Sequence, residues 1–260
     1  MSDAGIFVRN PHSILLALRH RPKDVLGITL PRDPSDGAWG EIIALAEKSR
    51  VKMGDSRSGG GFQGGRDGGR GGKPRDRDAR DENQGRESGH GAMIRPKSPV
   101  SLEKMFAGID QDTRGLWLAL DCLQDPQNVG AIFRSAAFFG VKGIVMTTER
   151  SAPMTAVTYD ISCGGVEVVP FVQVVNLKQA LDHAKEAGLW ILGTSEHAKE
   201  PLSRVKKDRA WLMVLGNEEK GMRRLTEEAC DVTCTIPNAG TGVGSLNVSV
   251  ATGILLSHLC

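Results

Sequence analysis

The sequence predicts an α/β protein with a mostly parallel sheet, preceded by a small α/β module that a polar insert interrupts. Three observations carry this. From residue 100 onward, short apolar runs alternate with helical stretches, the pattern of strand–helix units that pair in parallel. Residues 1–53 show the same alternation on a smaller scale. Between them, 54–89 is rich in Gly, Arg and Asp and nearly empty of apolar side chains. Fifty-three residues make a thin core, so the first module is expected to resume at 90–99.

In the first module, Asn10-Pro11 is an N-cap followed by proline at the first helical position, and Ile14, Leu15 and Leu18 give that helix one apolar face. Val25 to Leu30 reads as a strand. Ala38 to Lys48 reads as a helix with Ile42, Ile43, Leu45 and Ala46 turned inward, and Val51 and Met53 begin another strand. In the second unit, Leu116 to Leu120 is an unbroken apolar run, as in a strand buried on both faces. Asn128 is expected to cap a helix that ends at Gly140. Strands are expected at Gly143 to Met146, Val166 to Val169, Leu189 to Leu192, Trp211 to Leu215 and Thr233 to Ile236. Asn176 caps a helix running to Gly188, a further helix spans Met222 to Ala229, and the last runs from Ser245, its expected N-cap, to the end.

The insert cannot bury enough surface to offset its ordering entropy, which predicts disorder. Its eight basic and seven acidic side chains nearly cancel. Arg70-Gly71-Gly72 invites an RNA-binding reading, but interleaved acid favours a tether. The whole chain carries a formal charge of +2 and no segment is strongly basic, so a nucleic-acid partner must be met by local patches. Five cysteines (Cys122, Cys163, Cys230, Cys234 and Cys260) lack paired C-x-x-C spacing, which argues against a disulfide framework or a zinc site. No membrane-length apolar run and no signal-peptide pattern are present, and a cytoplasmic protein is expected.

Ligands of parallel sheets bind beyond the carboxyl ends of the strands, and three segments fall there. The first, Asp121 to Arg134, sets Asn128 at a helix start and Arg134 among the apolar Ile132, Phe133, Ala136 and Ala137, where a guanidinium needs a carboxylate or a phosphate. The second, Gly216-Asn217-Glu218, places backbone amides and a carboxylate at the rim of the sheet, or is an ordinary turn. The third, Ile236 to Asn247, contains Gly240-Thr-Gly-Val-Gly244. It is not a dinucleotide loop, because too little chain follows for the strand and acidic residue that such a unit needs.

Taken together, DPQNVGAIFRSAAFFG, LGNEEKGM and IPNAGTGVGSLNVSVATGILL resemble the SpoU (TrmH) class of RNA ribose 2′-O-methyltransferases of the SPOUT superfamily, over residues 95–260. The closest pattern is that of enzymes methylating a guanosine ribose in large-subunit ribosomal RNA. Residues Gly5 to Met53 with His90-Gly91 resemble a ribosomal-protein-like RNA-binding domain. The resemblance implies a C-terminal trefoil knot, S-adenosyl-L-methionine as cofactor, RNA as partner and a homodimer through the C-terminal domain, with no metal and no membrane. It implies catalytic roles for Asn128, Arg134, Glu218, Ser245 and Asn247, and cofactor contacts around Thr194, Gly216, Asn217, Ile236 and Leu246, largely through backbone. A guanidinium with a pKa above about 12 is a poor base, so Arg134 is expected to bind phosphate and stabilise the developing alkoxide, held by Glu218 and Asn128. A transfer-RNA or base methyltransferase, and a non-catalytic RNA-binding protein of the same fold, are the alternatives.

Overall fold

The computed structural model describes residues 5–34, 37–55, 89–240, 242 and 244–260. The segment expected to be disordered, 54–89, and with it the Arg-Gly motif, lies outside the described residues except for Gly54, Asp55 and Gly89. Gly54 and Asp55 extend a strand, which corrects the start of that segment.

The N-terminal elements are β1 (Ile6–Val8), α1 (Pro11–His20), β2 (Val25–Leu30), α2 (Trp39–Lys48), β3 (Met53–Asp55) and β4 (Gly91–Ile94). Among the described residues they make a four-stranded sheet in the order β1-β4-β2-β3. β4 runs antiparallel between β1 and β2, so the chain on both sides of the insert completes one sheet. α1 starts where the sequence places it: the Asn10 side chain accepts from the amides of His12 (2.9 Å) and Ser13 (3.3 Å), ahead of Pro11.

The second unit runs α3 (Leu102–Met105), β5 (Gly115–Leu120), α4 (Pro126–Phe139), β6 (Ile144–Thr147), α5 (Ala156–Ser162), α6 (Gly165–Val168), β7 (Phe171–Val174), α7 (Leu177–Glu186), β8 (Trp190–Thr194), β9 (Glu200–Pro201), β10 (Ala210–Leu215), α8 (Arg224–Glu228), β11 (Val232–Thr235) and α9 (Val248–Leu259). Its strands pair in the order β7-β6-β5-β10-β8-β11-β9, every pairing parallel. Side chains of β5 alternate between two cores. Leu116, Leu118 and Leu120 meet Ile132 and Phe133 of α4 and Leu255 and Leu256 of α9; Trp117 and Ala119 join Leu177 and Leu181 of α7. Burial on both faces explains the unbroken apolar run. No described helix is long and apolar enough to cross a membrane.

Three local expectations are corrected. Residues 166–169 are not a strand: Gly165–Val168 is a short helix, entered through Gly164 at φ +91°, and the strand follows at Phe171–Val174. Two buried valines three residues apart fit a single helical turn as well as an apolar run. α4 is capped by Asp125, whose side chain accepts from the Gln127 amide at 2.8 Å, with Pro126 at the first helical position. α9 is capped by Asn247, whose side chain accepts from the amides of Ser249 (2.9 Å) and Val250 (3.4 Å), so Ser245 lies outside the helix.

The N-terminal sheet is fastened to the second unit by buried polar contacts. Arg21 makes a two-pronged ion pair with Glu167 (2.6 and 2.7 Å), a carboxylate almost fully out of solvent. The Ser13 hydroxyl donates to the Tyr159 carbonyl (2.7 Å), and the amides of Arg9 and Asn10 donate to the Asp160 carboxylate (2.7 and 2.8 Å). The Lys97 ammonium caps the end of α6 by donating to the carbonyls of Val166, Glu167 and Val169. Burial lowers its pKa, and burial pushes that of the Tyr159 phenol, which accepts from the Lys97 amide, up to about 12.

Candidate active site

β8, β10 and β11 are neighbours in one parallel sheet, so their carboxyl ends share an edge. That edge carries Thr194 at the end of β8, Gly216 just past β10 and Ile236 just past β11. The Thr194 hydroxyl donates to the Val214 carbonyl at 2.8 Å, which ties its side chain to the neighbouring strand. Gly216 is required by a close approach: a Cβ there would collide with the backbone of Gly221 and Met222. The segment after β10 folds back on itself, with Asn217 and Gly221 exchanging both main-chain hydrogen bonds (3.0 and 2.9 Å). Leu246 lies in the third segment, half-exposed. Thr241 and Val243 of that segment lie outside the described residues.

Three of the five expected catalytic residues meet. Because Asp125 and Pro126 start α4, Asn128 falls in its first turn and its side chain is released from capping. It is buried and bridges two segments: its amide donates to Glu218 Oε1 at 3.2 Å, and its oxygen accepts from the Asn247 amide at 3.0 Å. Asn217 donates to the other carboxylate oxygen of Glu218 at 3.2 Å and to the Cys122 carbonyl at 2.9 Å. The chain Asn247–Asn128–Glu218–Asn217 thus ties α9, α4 and the loop after β10 around one carboxylate, each amide dipole pointing toward the charge.

Arg134 and Ser245 are not in this cluster. Both are exposed, and among the described residues neither side chain has a hydrogen-bond or ion-pair partner. The expectation that Glu218 and Asn128 hold Arg134 is therefore corrected. Six residues of helix advance about 600°, so the two side chains leave α4 in different directions. Arg134 instead lines a groove of about 400 Å³ against α1, together with His12, Leu15, Leu16, Arg19 and Cys163.

Two further residues shape the site without having been singled out. Asp121, fully buried at the end of β5, accepts from the Arg223 amide (3.0 Å) and from Arg223 Nε (2.7 Å), which pins the far end of the loop after β10. Cys122 adopts a left-handed backbone, φ +60°, and that turn aims its carbonyl at Asn217. A buried aspartate directly after an apolar strand is the available sequence signal; the Cys122 conformation leaves none.

Comparisons with known proteins bear on this geometry. The SpoU rRNA Methylase family matches residues 115–257. A 23S rRNA (guanosine-2′-O-)-methyltransferase RlmB of Pseudomonas aeruginosa is 34% identical over 252 residues, 95% of this chain and 93% of the relative. A protein of that name from Vibrio parahaemolyticus is 45% identical over 141 residues, 54% of this chain and 57% of the relative. The crystal structure of the SpoU methyltransferase AviRb from Streptomyces viridochromogenes superposes with TM-score 0.72 at 20% identity, covering 98% of this chain and 88% of that one. Its complex with AdoMet gives 0.68 at 20% identity, covering 98% and 89%. At that identity the structures speak to the fold.

Proposed function

Because the chain belongs to the SpoU rRNA Methylase family, we propose that it transfers a methyl group from S-adenosyl-L-methionine to a ribose 2′-hydroxyl of ribosomal RNA, a guanosine in the large-subunit RNA. The observation that carries the reading is the hydrogen-bonded chain Asn247–Asn128–Glu218–Asn217, which joins residues of all three segments at the carboxyl edge of the sheet. The residues present fit the cofactor. Main chain at Thr194, Gly216 and Ile236 is aligned along one edge, Asn217 and the half-exposed Leu246 flank it, and at Gly216 only a residue without a side chain leaves the backbone in place.

S-adenosyl-L-methionine supplies the methyl group when bound, carried on a sulfonium. The chain's own contribution is positional. Asn128, Glu218 and Asn247 fix the three segments relative to one another. Arg134 takes a phosphate next to the reacting ribose and stabilises the charge that develops as its hydroxyl loses a proton, with Ser245 shaping the same face. The N-terminal module binds RNA. A ribosomal substrate implies a cytoplasmic protein.

The reading includes the trefoil knot and a homodimer through the C-terminal unit. Support for the knot comes from the loop after β10, pinned back on Asp121 and Cys122, and from the return of α9 to α4 through Asn247. Support for the dimer comes from α9, which leaves Val250 (52%) and Ile254 (40%) exposed one turn apart. Light scattering of the full chain should give a dimer. Mass-spectrometric mapping of 2′-O-methyl groups in 23S rRNA incubated with and without the protein tests the reaction. One new 2′-O-methylguanosine is expected; a methyl on a base or only on transfer RNA would overturn the substrate.

A further inference from the structure

We propose that the groove between α1 and α4 holds the single-stranded RNA flanking the methylated nucleotide, so that the N-terminal module and the catalytic unit grip one continuous strand. This rests on the ribosomal-RNA methyltransferase reading and goes beyond it, because it assigns the residues and the kind of RNA that the N-terminal module contacts. His12, Leu15, Leu16 and Arg19 occupy one stripe of α1 at helical spacing, and Arg134 and Cys163 face them across about 400 Å³.

The chemistry of the walls selects the occupant. Leu15 and Leu16 make an apolar floor, while His12, Arg19 and Arg134 are exposed along the rim. The exposed His12 ring offers a flat partner to a base above the apolar floor, and a guanidinium rim takes phosphate, which together suit a single strand. Arg134 has no partner among the described residues, and Arg19 shares its guanidinium with Glu41 alone. At the opposite end of α1 the Asp160 carboxylate accepts from the amides of Arg9 and Asn10. Arg134 is therefore the guanidinium of this groove that no carboxylate among the described residues holds, and it is open to an incoming phosphate.

The groove is preformed. The Ser13–Tyr159 bond holds α1 against α5, the Arg21–Glu167 pair ties the residue after α1 to α6, and Gly164 lacks a side chain where one would overlap Leu16. Its position also fits. Arg134 lies six residues along α4 from Asn128, a rise of about 9 Å, so a strand seated on Arg134 passes beside the end of α4 that carries the Asn128 cluster.

Fluorescence anisotropy with in vitro transcribed 23S rRNA tests this on the full-length chain. The doubly substituted His12→Glu, Arg19→Glu protein should bind RNA at least tenfold more weakly, with the slope of log K against log salt reduced by about 1 to 2 and calorimetric affinity for S-adenosyl-L-methionine unchanged. Glu41→Gln works in the opposite direction. Freeing Arg19 from its carboxylate should tighten RNA binding two- to threefold, whereas a merely structural Arg19–Glu41 pair would leave it unchanged or weaker. RNA affinity within twofold of wild type in the double variant, with no gain in Glu41→Gln, overturns the groove and leaves the methyltransferase reading standing. RNA binding that responds as expected in a protein that methylates no rRNA overturns that reading and leaves the groove.

Discussion

Asn128 and Arg134 lie on the same helix, six residues apart, and are held in opposite ways. Asn128 is buried and spends its amide on Glu218 and its carbonyl on Asn247. Arg134 stands in solvent with no partner among the described residues, facing α1 across a groove. On the proposed reading the difference separates two tasks. The cofactor edge needs three loops held in one arrangement before anything binds, so its polar groups satisfy one another. The RNA side needs a donor ready for an incoming anion, and a guanidinium already locked to Glu218 would have to give that bond up.

The sharpest way to break this comparison is substitution at Arg134. Arg134→Ala and Arg134→Lys should each lower methyl transfer by about 3 kcal/mol or more, a hundredfold or greater in rate, because a lysine cannot reproduce a planar fork. Stability should change by less than about 0.5 kcal/mol, since the side chain touches no partner. Asn128→Ala should instead lower both stability and cofactor affinity, leaving the Glu218 carboxylate short of a donor. Single-turnover methylation at saturating RNA, beside urea melts and cofactor calorimetry, separates the two. A lysine variant within a few-fold of wild type would refute the fork.

Next in size is the tether beneath the held half. Asp121→Ala removes both acceptors of Arg223 and should cost about 2 kcal/mol in a urea melt. Cofactor affinity should fall with it while RNA affinity stays. Asp121→Asn keeps an oxygen for the Arg223 amide and should recover part of the loss. A cost below about 0.5 kcal/mol would show that the loop after β10 holds its shape unaided.

What the sequence revealed and concealed follows the same division. The caps Asn10 and Asn176 were legible because each stands alone before an apolar-periodic run, and both accept from helix amides. At α4 and α9 two candidate caps lie two or three residues apart, Asp125 or Asn128 and Ser245 or Asn247. Asp125 wins because Pro126 follows it; nothing local decides at α9. The correct assignment matters for function, because an Asn128 occupied in capping could not bridge Glu218 and Asn247. The parallel sheet was legible from its unbroken apolar runs, whereas residues 166–169 are too few to reveal a period. Docking of the N-terminal sheet rests on partners such as Arg21 and Glu167, far apart in sequence, and such pairs leave no local pattern.

Alkali probes the core beneath the held half. Burial, reinforced by Asp231 and Glu227, pushes the Cys230 thiol from 9.0 to about 12, and burial lifts Cys234 to about 11. Both therefore stay protonated in the folded chain at pH values where the unfolded chain releases the proton. Their contribution is complete below about pH 9 and is lost as pH rises toward the folded values. Tyr159, raised to about 12, adds the same sign above pH 10, while Lys97, lowered by burial, acts in the opposite sense. Between pH 8 and pH 10 wild type should lose about 1 kcal/mol more than Cys230→Ala, allowing for screening at a thiol that is only partly buried. Equal slopes in urea melts at the two pH values would show that Cys230 does not feel its surroundings.

The smallest effect concerns the turn that aims the Cys122 carbonyl at Asn217. Its φ of +60° disfavours any residue with a Cβ, by about 1 kcal/mol for an ordinary side chain. The thiol offsets some of that through weak contacts with the Thr147 hydroxyl and the Glu149 carbonyl, each at 3.8 Å. Cys122→Ala keeps the Cβ and loses the contacts. Cys122→Gly loses the contacts and relieves the backbone, though it also frees the unfolded chain. If the turn matters through its backbone, the glycine variant should be more stable than the alanine variant by a few tenths to about 1 kcal/mol, with cofactor affinity retained in both. If the thiol contacts dominate, both should fall below wild type by the same amount, and the left-handed turn would be a consequence of the packing around Asn217 rather than a device that positions it.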